Sequence, residues 1–176
     1  MTHLYQALLG PDWANLAAVT QALHSPDPAV LFEGRVEIIR GRNPLADLVA
    51  AMLGLPKSGR ALPALVRVSR FDGDELLERW YDGRYFATHQ GRSAGRLTER
   101  IGPFTLAFDL RLEAGALMFD QAGVKLWSLS LPPILWPRIQ AREDADGQAH
   151  LFDVALSLPL VGLIVRYRGR LEQASD

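Results

Sequence analysis

Up to about residue 60 the apolar positions of the chain recur with a helical period in some stretches and a strand period in others; beyond that they mostly alternate. In "LYQALLGPDWANLAAVTQALHSP", Leu16, Val19 and Leu23 fall at helical spacing. Gly10-Pro11 divides this stretch in two, with Pro11 near the start of the second piece. "AVLFEGRVEIIRGR" reads as a long first strand whose β-branched residues gather at Val36, Ile38 and Ile39. "NPLADLVAAMLGLP" carries the clearest helix signals. Asn43 is suited to the N-cap, Pro44 to the first helical position, Gly54 to the C-terminal cap, and Pro56 forbids continuation. Leu45, Leu48, Val49, Met52 and Leu53 make one apolar stripe, so this helix is expected to lie across an open end or the outside of a sheet.

From residue 62 onward Asp-Gly punctuates the chain, at 72–73, 82–83 and 146–147, each time between strand-like arms. This dipeptide is a strong hairpin signal, and a two-residue turn fixes register by arithmetic. Around Asp82-Gly83, Tyr81 faces Arg84, Trp80 faces Tyr85 and Arg79 faces Phe86. Around Asp72-Gly73, Phe71 faces Asp74, Val68 faces Leu77 and Val66 faces Arg79. One face of this meander then carries Val66, Val68, Leu77, Arg79, Tyr81 and Phe86, and it is the expected interior. Trp80 and Tyr85 fall on the outside.

"FTLAFDLRL" and "HLFDVALSL" alternate cleanly, the first with Phe104, Leu106 and Phe108 on one face, the second with His150, Phe152 and Val154. "LVGLIVRYRGRLE" also fits a helix through Leu160, Leu163, Ile164 and Tyr167. Gly162, Gly169 and the alternation of Arg166, Arg168 and Arg170 favour a strand with those arginines on a solvated face. The pattern predicts an α+β fold in a single domain, residues 1–176. It consists of an antiparallel, barrel-like sheet of eight to ten strands, lipocalin-like or strongly curled, preceded by two or three short helices. The alternative is a helix-grip fold in which the C-terminal segment is a long helix.

Composition narrows the function classes. The 176 residues are 48% hydrophobic and 22% charged, values of a globular chain. Nineteen basic residues balance twenty acidic ones, for a net charge of −1, so the totals give no footprint for nucleic acid or an anionic surface. The absence of cysteine removes disulfides and thiolate chemistry. No basic segment followed by an apolar run opens the chain, and no apolar run is long enough for a transmembrane helix, so a cytoplasmic location is expected. His3, His24, His89 and His150 lack metal-ligand spacing, so no metal is expected. No P-loop, G-x-S-x-G elbow or G-x-G-x-x-G follows a strand, and no cofactor is expected.

The stretches "LYQALLGPDW", "LTERIGPF", "WPRIQARE" and "LPLVGLIVRYRGRL" together make the chain resemble the bacterial family called domain of unknown function 4166, across nearly the whole length. The resemblance implies a domain that occurs alone or attached to a dehydrogenase-like nucleotide-binding domain. An NAD(P)-binding oxidoreductase therefore enters as a possible partner, and no activity comes with the family. Leu77 stands where the family leads one to expect tryptophan, two residues before Arg79.

Three groups of residues carry candidate chemistry. A turn at Asp146-Gly147 sets Glu143 opposite His150, Ala141 opposite Phe152 and Ile139 opposite Val154. The carboxylate and imidazole then form either an acid–base pair at a cavity mouth or an exposed pair of small energetic consequence. Arg79, between Leu77 and Tyr81, and Glu99, between Leu97 and Ile101, are charges on apolar faces. They either pair with each other or anchor a polar ligand group. In "SLSLPPILWPRI", three prolines preclude a ladder while Leu135 and Trp136 are apolar. The segment is a lid over a pocket, a docking surface or a buried crossing, and as a lid it would set Arg138 at the rim beside Glu143.

These residues point to binding of a hydrophobic small molecule (a lipid, isoprenoid or polyketide-like compound) in a cavity of order a few hundred Å³. Val66, Leu77, Phe86, Phe104, Phe108 and Phe152 are its expected lining. The ligand-binding candidates are Arg79, Glu99, Tyr81, Phe86, Phe108, Trp136, Arg138, Phe152 and Tyr167. Two alternatives remain. One is a cofactor-independent isomerase or cyclase using Glu143, His150 and Arg79; the other is a module that docks on a dehydrogenase-like partner.

Overall fold

The computed structural model describes residues 2–52, 54–71 and 73–174. In chain order it contains α1 (Leu4–Leu9), a 3-10 turn at Gly10–Asn15 and α2 (Ala18–Leu23). Then come β1 (Ala29–Arg40), α3 (Pro44–Met52), β2 (Gly59–Phe71), β3 (Asp74–Tyr81), β4 (Arg84–Ser93), β5 (Arg96–Ile101) and β6 (Phe104–Glu113). The remainder is β7 (Ala116–Leu126), the two-residue β8 (Leu129–Ser130), a 3-10 turn at Pro133–Leu135, β9 (Arg138–Asp146), β10 (Ala149–Leu158) and β11 (Gly162–Gln173).

Consecutive strands pair antiparallel from β1 to β7. β7 pairs with β9, β9 with β10, β10 with β11, and β11 returns to β1. The result is a closed ten-strand up-and-down barrel with β8 appended to β7. Closure satisfies the backbone groups that an open curled sheet would leave at its edges. The helix-grip alternative fails at β11, which is laddered on one side to β1 and on the other to β10.

Register follows the turn chemistry with one correction. Asp82 and Gly83 both hold φ near the left-handed region, at 51° and 76°, and close β3–β4 with Tyr81 against Arg84 and Arg79 against Phe86. β2 and β3 pair Phe71 with Asp74, Val68 with Leu77 and Val66 with Arg79; Asp72 itself lies outside the described residues. The β9–β10 turn is instead made by Gly147 and Gln148, so Ala149 pairs with Asp146. His150 therefore faces Ala145, Glu143 faces Phe152, Ala141 faces Val154 and Ile139 faces Leu156. The shift is two residues, which keeps every side chain on its expected face and makes Glu143 and His150 diagonal neighbours.

The barrel has two unlike ends. Where β1 begins, α1 and α2 enter and fill the interior. Leu23 joins Phe32, Val36, Val66, Val68 and Leu77 in one core. Leu4, Tyr5, Leu9 and Leu16 join Leu97, Leu106, Phe108 and Leu117 in a second. Each fully buried large side chain here contributes about 1.5–3 kcal/mol. Midway along, Tyr81 and Phe86 meet Phe152 and Tyr167 from the facing wall, with ring centroids 6.2 Å apart for Tyr81–Phe152 and 6.0 Å for Phe86–Tyr167. Gly169 allows this, because a Cβ there would overlap the Phe152 ring.

Where β1 ends, α3 lies over β1 and β11. The Asn43 side chain accepts a hydrogen bond from the Leu45 N–H at 3.0 Å, and Gly54 at φ 65° ends the helix. Of the stripe expected to be its buried face, Val49 packs inward but the larger side chains do not. Ala46 and Ala50 pack on Ile164, whereas Leu45, Leu48 and Met52 stand in solvent at 58%, 57% and 79% exposure. Small side chains let the helix approach closely, which decides which edge is buried. Leu53 lies outside the described residues.

The expected cavity lining also divides. Val66, Leu77 and Phe108 are packed into the two cores, while Phe86, Phe104 and Phe152 keep accessible surface. A depression of about 750 Å³ does exist, but on the outer wall, among Glu33, Arg35, Leu65, Trp80 and Arg170.

Candidate functional site

Two polar groups sit inside the wall. The first joins the N-terminal helices to β9 and β10. His24, the residue after α2, places Nε2 2.6 Å from Glu143 Oε2, and His150 Nε2 lies 4.0 Å from the same oxygen. One helical turn before His24, Thr20 Oγ1 is 3.3 Å from His150 Nδ1. Tyr5 stacks on the His24 ring at 3.7 Å and donates its hydroxyl to Gln90 Oε1 at 3.1 Å. Glu75 is also buried, with its Oε2 lacking a hydrogen-bond partner among the described residues.

Burial opposes ionisation of Glu143, yet the charge and hydrogen bond of His24, then His150 and Arg79, hold its carboxyl below the ordinary range. Burial pushes the His150 imidazole down, against the pull of Glu143. It pushes the Glu75 carboxyl up and the Tyr5 phenol well up. The pair singled out from sequence is thus brought together, with His24 as its closest partner. Both histidines are sealed, at 2% and 1% exposure. His24 is hydrogen-bonded to the carboxylate, whereas His150 stands 4.0 Å from it and takes its hydrogen bond with Thr20. Among the described residues no metal-holding group of His, Asp or Glu is formed.

The second group lies on β3, β4 and β5. Arg79 reaches Glu99 Oε1 at 3.3 Å and donates to Thr88 Oγ1 at 3.2 Å; Thr88 donates to Glu99 at 2.6 Å. The Arg79 guanidinium also lies 5.2 Å from the centre of the Phe86 ring. Around it stand Tyr81, whose phenol burial pushes up to about 12, and Tyr167, also raised by burial. The Tyr167 hydroxyl is buried with no hydrogen-bond partner among the described residues.

Other expected site residues are elsewhere. Phe108 is buried at 1% beneath α1, edge-on to Phe119. Trp136 is half-buried on the second core and donates its indole N–H to Leu131 O at 2.7 Å. Arg138 is exposed on the outer face of β9, away from Glu143, because it and Glu143 have opposite parity on the strand. Leu135 is exposed, and Leu131 and Trp136 anchor the proline-rich segment on the second core. His24, Thr20, Tyr5, Gln90 and Glu75 were not singled out from sequence. Thr20 and His24 at i, i+4 on an apolar helix face are the signal that marks two of them.

Several inward-facing side chains are not fully covered, although Val36, Ile38, Tyr81, Leu106 and Val124 toward the α3 end are buried. Arg79, Glu99 and Glu143 keep 17%, 15% and 15% of their side-chain surface accessible. Phe86, Phe152, Val154 and Leu156 are also only partly buried. Helices fill the lumen at one end, and beyond them Tyr81, Phe86, Phe152 and Tyr167 meet across it with part of the Phe86 and Phe152 surface still accessible.

The geometry defines a class: a closed antiparallel β-barrel with an internal polar cluster. Residues 16–171 match the model of the family described as Domain of unknown function (DUF4166), and the chain belongs to that family. No curated protein matches the sequence. Among solved structures, the chain is similar to a protein of unknown function from the DUF3598 family of Nostoc punctiforme. The two are 9% identical with a TM-score of 0.52, over 90% of this chain and 50% of that one, so the chain spans half the length of that relative. It is also similar to an abundant heat soluble (SAHS) protein from Ramazzottius varieornatus, at 11% identity, TM-score 0.42, over 82% and 93% of the two chains. Rv2717c from M. tuberculosis is 12% identical, with TM-score 0.46 over 91% and 99%. The first of these likenesses concerns the fold alone.

Proposed function

We propose that the chain binds a hydrophobic small molecule in the half of the lumen that the N-terminal helices leave open. The apolar part of the ligand lies against Phe86, Phe152, Val154 and Leu156, and its polar end meets Arg79 and the Tyr167 hydroxyl. The observation that carries this reading is the accessible surface retained by inward-facing aromatic and charged side chains of a closed barrel. Charged groups inside an apolar wall that still reach free space suit a ligand with one polar group and an apolar body. Native mass spectrometry of freshly purified protein tests it. A retained lipid-like mass supports the reading, and protein that is empty and takes up no long-chain carboxylic acid contradicts it.

The isomerase or cyclase reading gains no comparable support. His24 and His150 are covered by the helices, and a carboxyl held below its ordinary range is a weak base at neutral pH.

A further inference from the structure

We infer that the α3 end of the barrel is a docking surface for an anionic lipid bilayer. Three separate connections at this end carry apolar side chains into solvent: Leu45, Leu48 and Met52 on α3, Leu160 between β10 and β11, and Trp127 and Ile134 between β7 and β9. The connections are fixed at one rim. Asn43 beside α3 donates to Val161 O at 3.2 Å, and the Trp127 N–H donates to Pro103 O at 2.7 Å.

Charge at this rim is predominantly positive. Arg42, Lys57, Arg84, Lys125 and Arg138 are exposed on or beside these connections, and none makes an ion pair among the described residues. Against them stand Asp82 and Asp47, and Asp47 is already 3.9 Å from Arg40. The opposite end carries both signs, with Asp12, Asp27, Glu113 and Asp146 exposed there alongside Arg92 and Arg96. The near-neutral total of the chain conceals the cationic excess of the α3 rim.

Apolar tips on several connections, flanked by exposed cations, match a bilayer interface. There apolar side chains enter the acyl boundary and basic residues meet headgroup phosphates. Exposed leucine, methionine and tryptophan at a rim have no packing role in the fold, since Ala46 and Ala50 supply the helix contact. The inference does not require a ligand in the lumen, so its test and that of the proposed function can fail separately.

The experiment is co-sedimentation of the whole chain with vesicles of phosphatidylcholine alone and of phosphatidylcholine mixed with phosphatidylglycerol. At low salt the anionic vesicles are expected to retain about tenfold more protein than the neutral ones, with the excess lost as salt screens the charges. Leu48→Asp with Ile134→Asp should abolish retention on both, while Arg42→Gln with Lys57→Gln should remove only the anionic preference. All four positions are exposed, and unchanged thermal melts confirm that the variants fold. Emission from Trp127, read as the difference from Trp127→Phe, should move to the blue on binding. Failure to sediment with anionic vesicles, or sedimentation unaffected by the apolar substitutions, overturns the inference. So does a dimer abolished by Leu48→Asp without vesicle binding, which would assign the rim to a second copy.

Discussion

At the end where β1 begins, α1 and α2 carry their apolar residues inward and tie their polar ones to the wall through Tyr5–Gln90, Thr20–His150 and His24–Glu143. At the α3 end a helix of similar apolar content rests on two alanines and turns its large side chains outward. Leucines are thus the anchor in one place and the free surface in the other. A hydrophobic stripe marks a contact face but does not say whether that contact is made within the chain or beyond it.

The contrast predicts opposite mutational behaviour. Tyr5→Ala removes a ring buried to 1%, uncovers His24 and leaves Gln90 without its donor. A loss of about 3–5 kcal/mol in urea unfolding is expected, and a loss of under about 1 kcal/mol would mean that the helices merely rest on the barrel.

Next in size is the central pair. Arg79→Met strands Glu99 and should cost about 3 kcal/mol, most of it restored by adding Glu99→Leu. The double variant should melt near the wild type while losing any retained lipid-like mass. Unchanged stability in the single variant would show that the ion pair is not a structural tie.

The polar ties also set a pH dependence. His150 is held below its ordinary value, so as pH falls below about 6.5 the unfolded chain takes up a proton the folded chain resists, and stability is lost. Glu143, also depressed, contributes stability present above its unfolded value of about 4.3 and lost as pH falls further. Glu75, raised by burial, acts in the opposite direction, and His3, lowered mainly by burial, adds to the fall. Thermal melts should therefore decline from pH 7 to pH 5, and His150→Gln should flatten most of that limb. An equally steep decline in the variant would place the linkage elsewhere.

Smallest of all is Leu48→Ser. At an exposed position on α3 it should change stability by no more than about 0.5 kcal/mol. A large loss would mean that the outer stripe is packed after all.

Much of the barrel was legible because two periods and the Asp-Gly turns carry it. The register of β2 to β4 followed from turn arithmetic, and β11 was recognisable from its alternating arginines, of which Arg166 and Arg168 share Asp153 and Arg170 meets Asp146 on the outer wall. The β9–β10 register was misread because Gly147 takes the first turn position instead of the second. Hairpins closed by Ala94-Gly95 and Ala114-Gly115 gave no Asp-Gly signal, since alanine rarely adopts positive φ. The candidate site was half legible. Glu143, His150 and Arg79 could be placed on inward faces by parity, but His24 and Tyr5 meet them only through the packing of helices distant in sequence. Hydrophobic periodicity does not encode such contacts.

The proposed binding sets an apolar ligand against Val154 and Leu156, away from the helix-filled end of the lumen. Methyl-resolved NMR of the whole chain during titration with dodecanoic acid tests this most directly. Saturable shifts at Val154 and Leu156, with Leu4 and Leu9 unmoved, are the predicted result. Shifts confined to outer-wall residues such as Leu65 and Leu151, or no saturable shift at all, would contradict it.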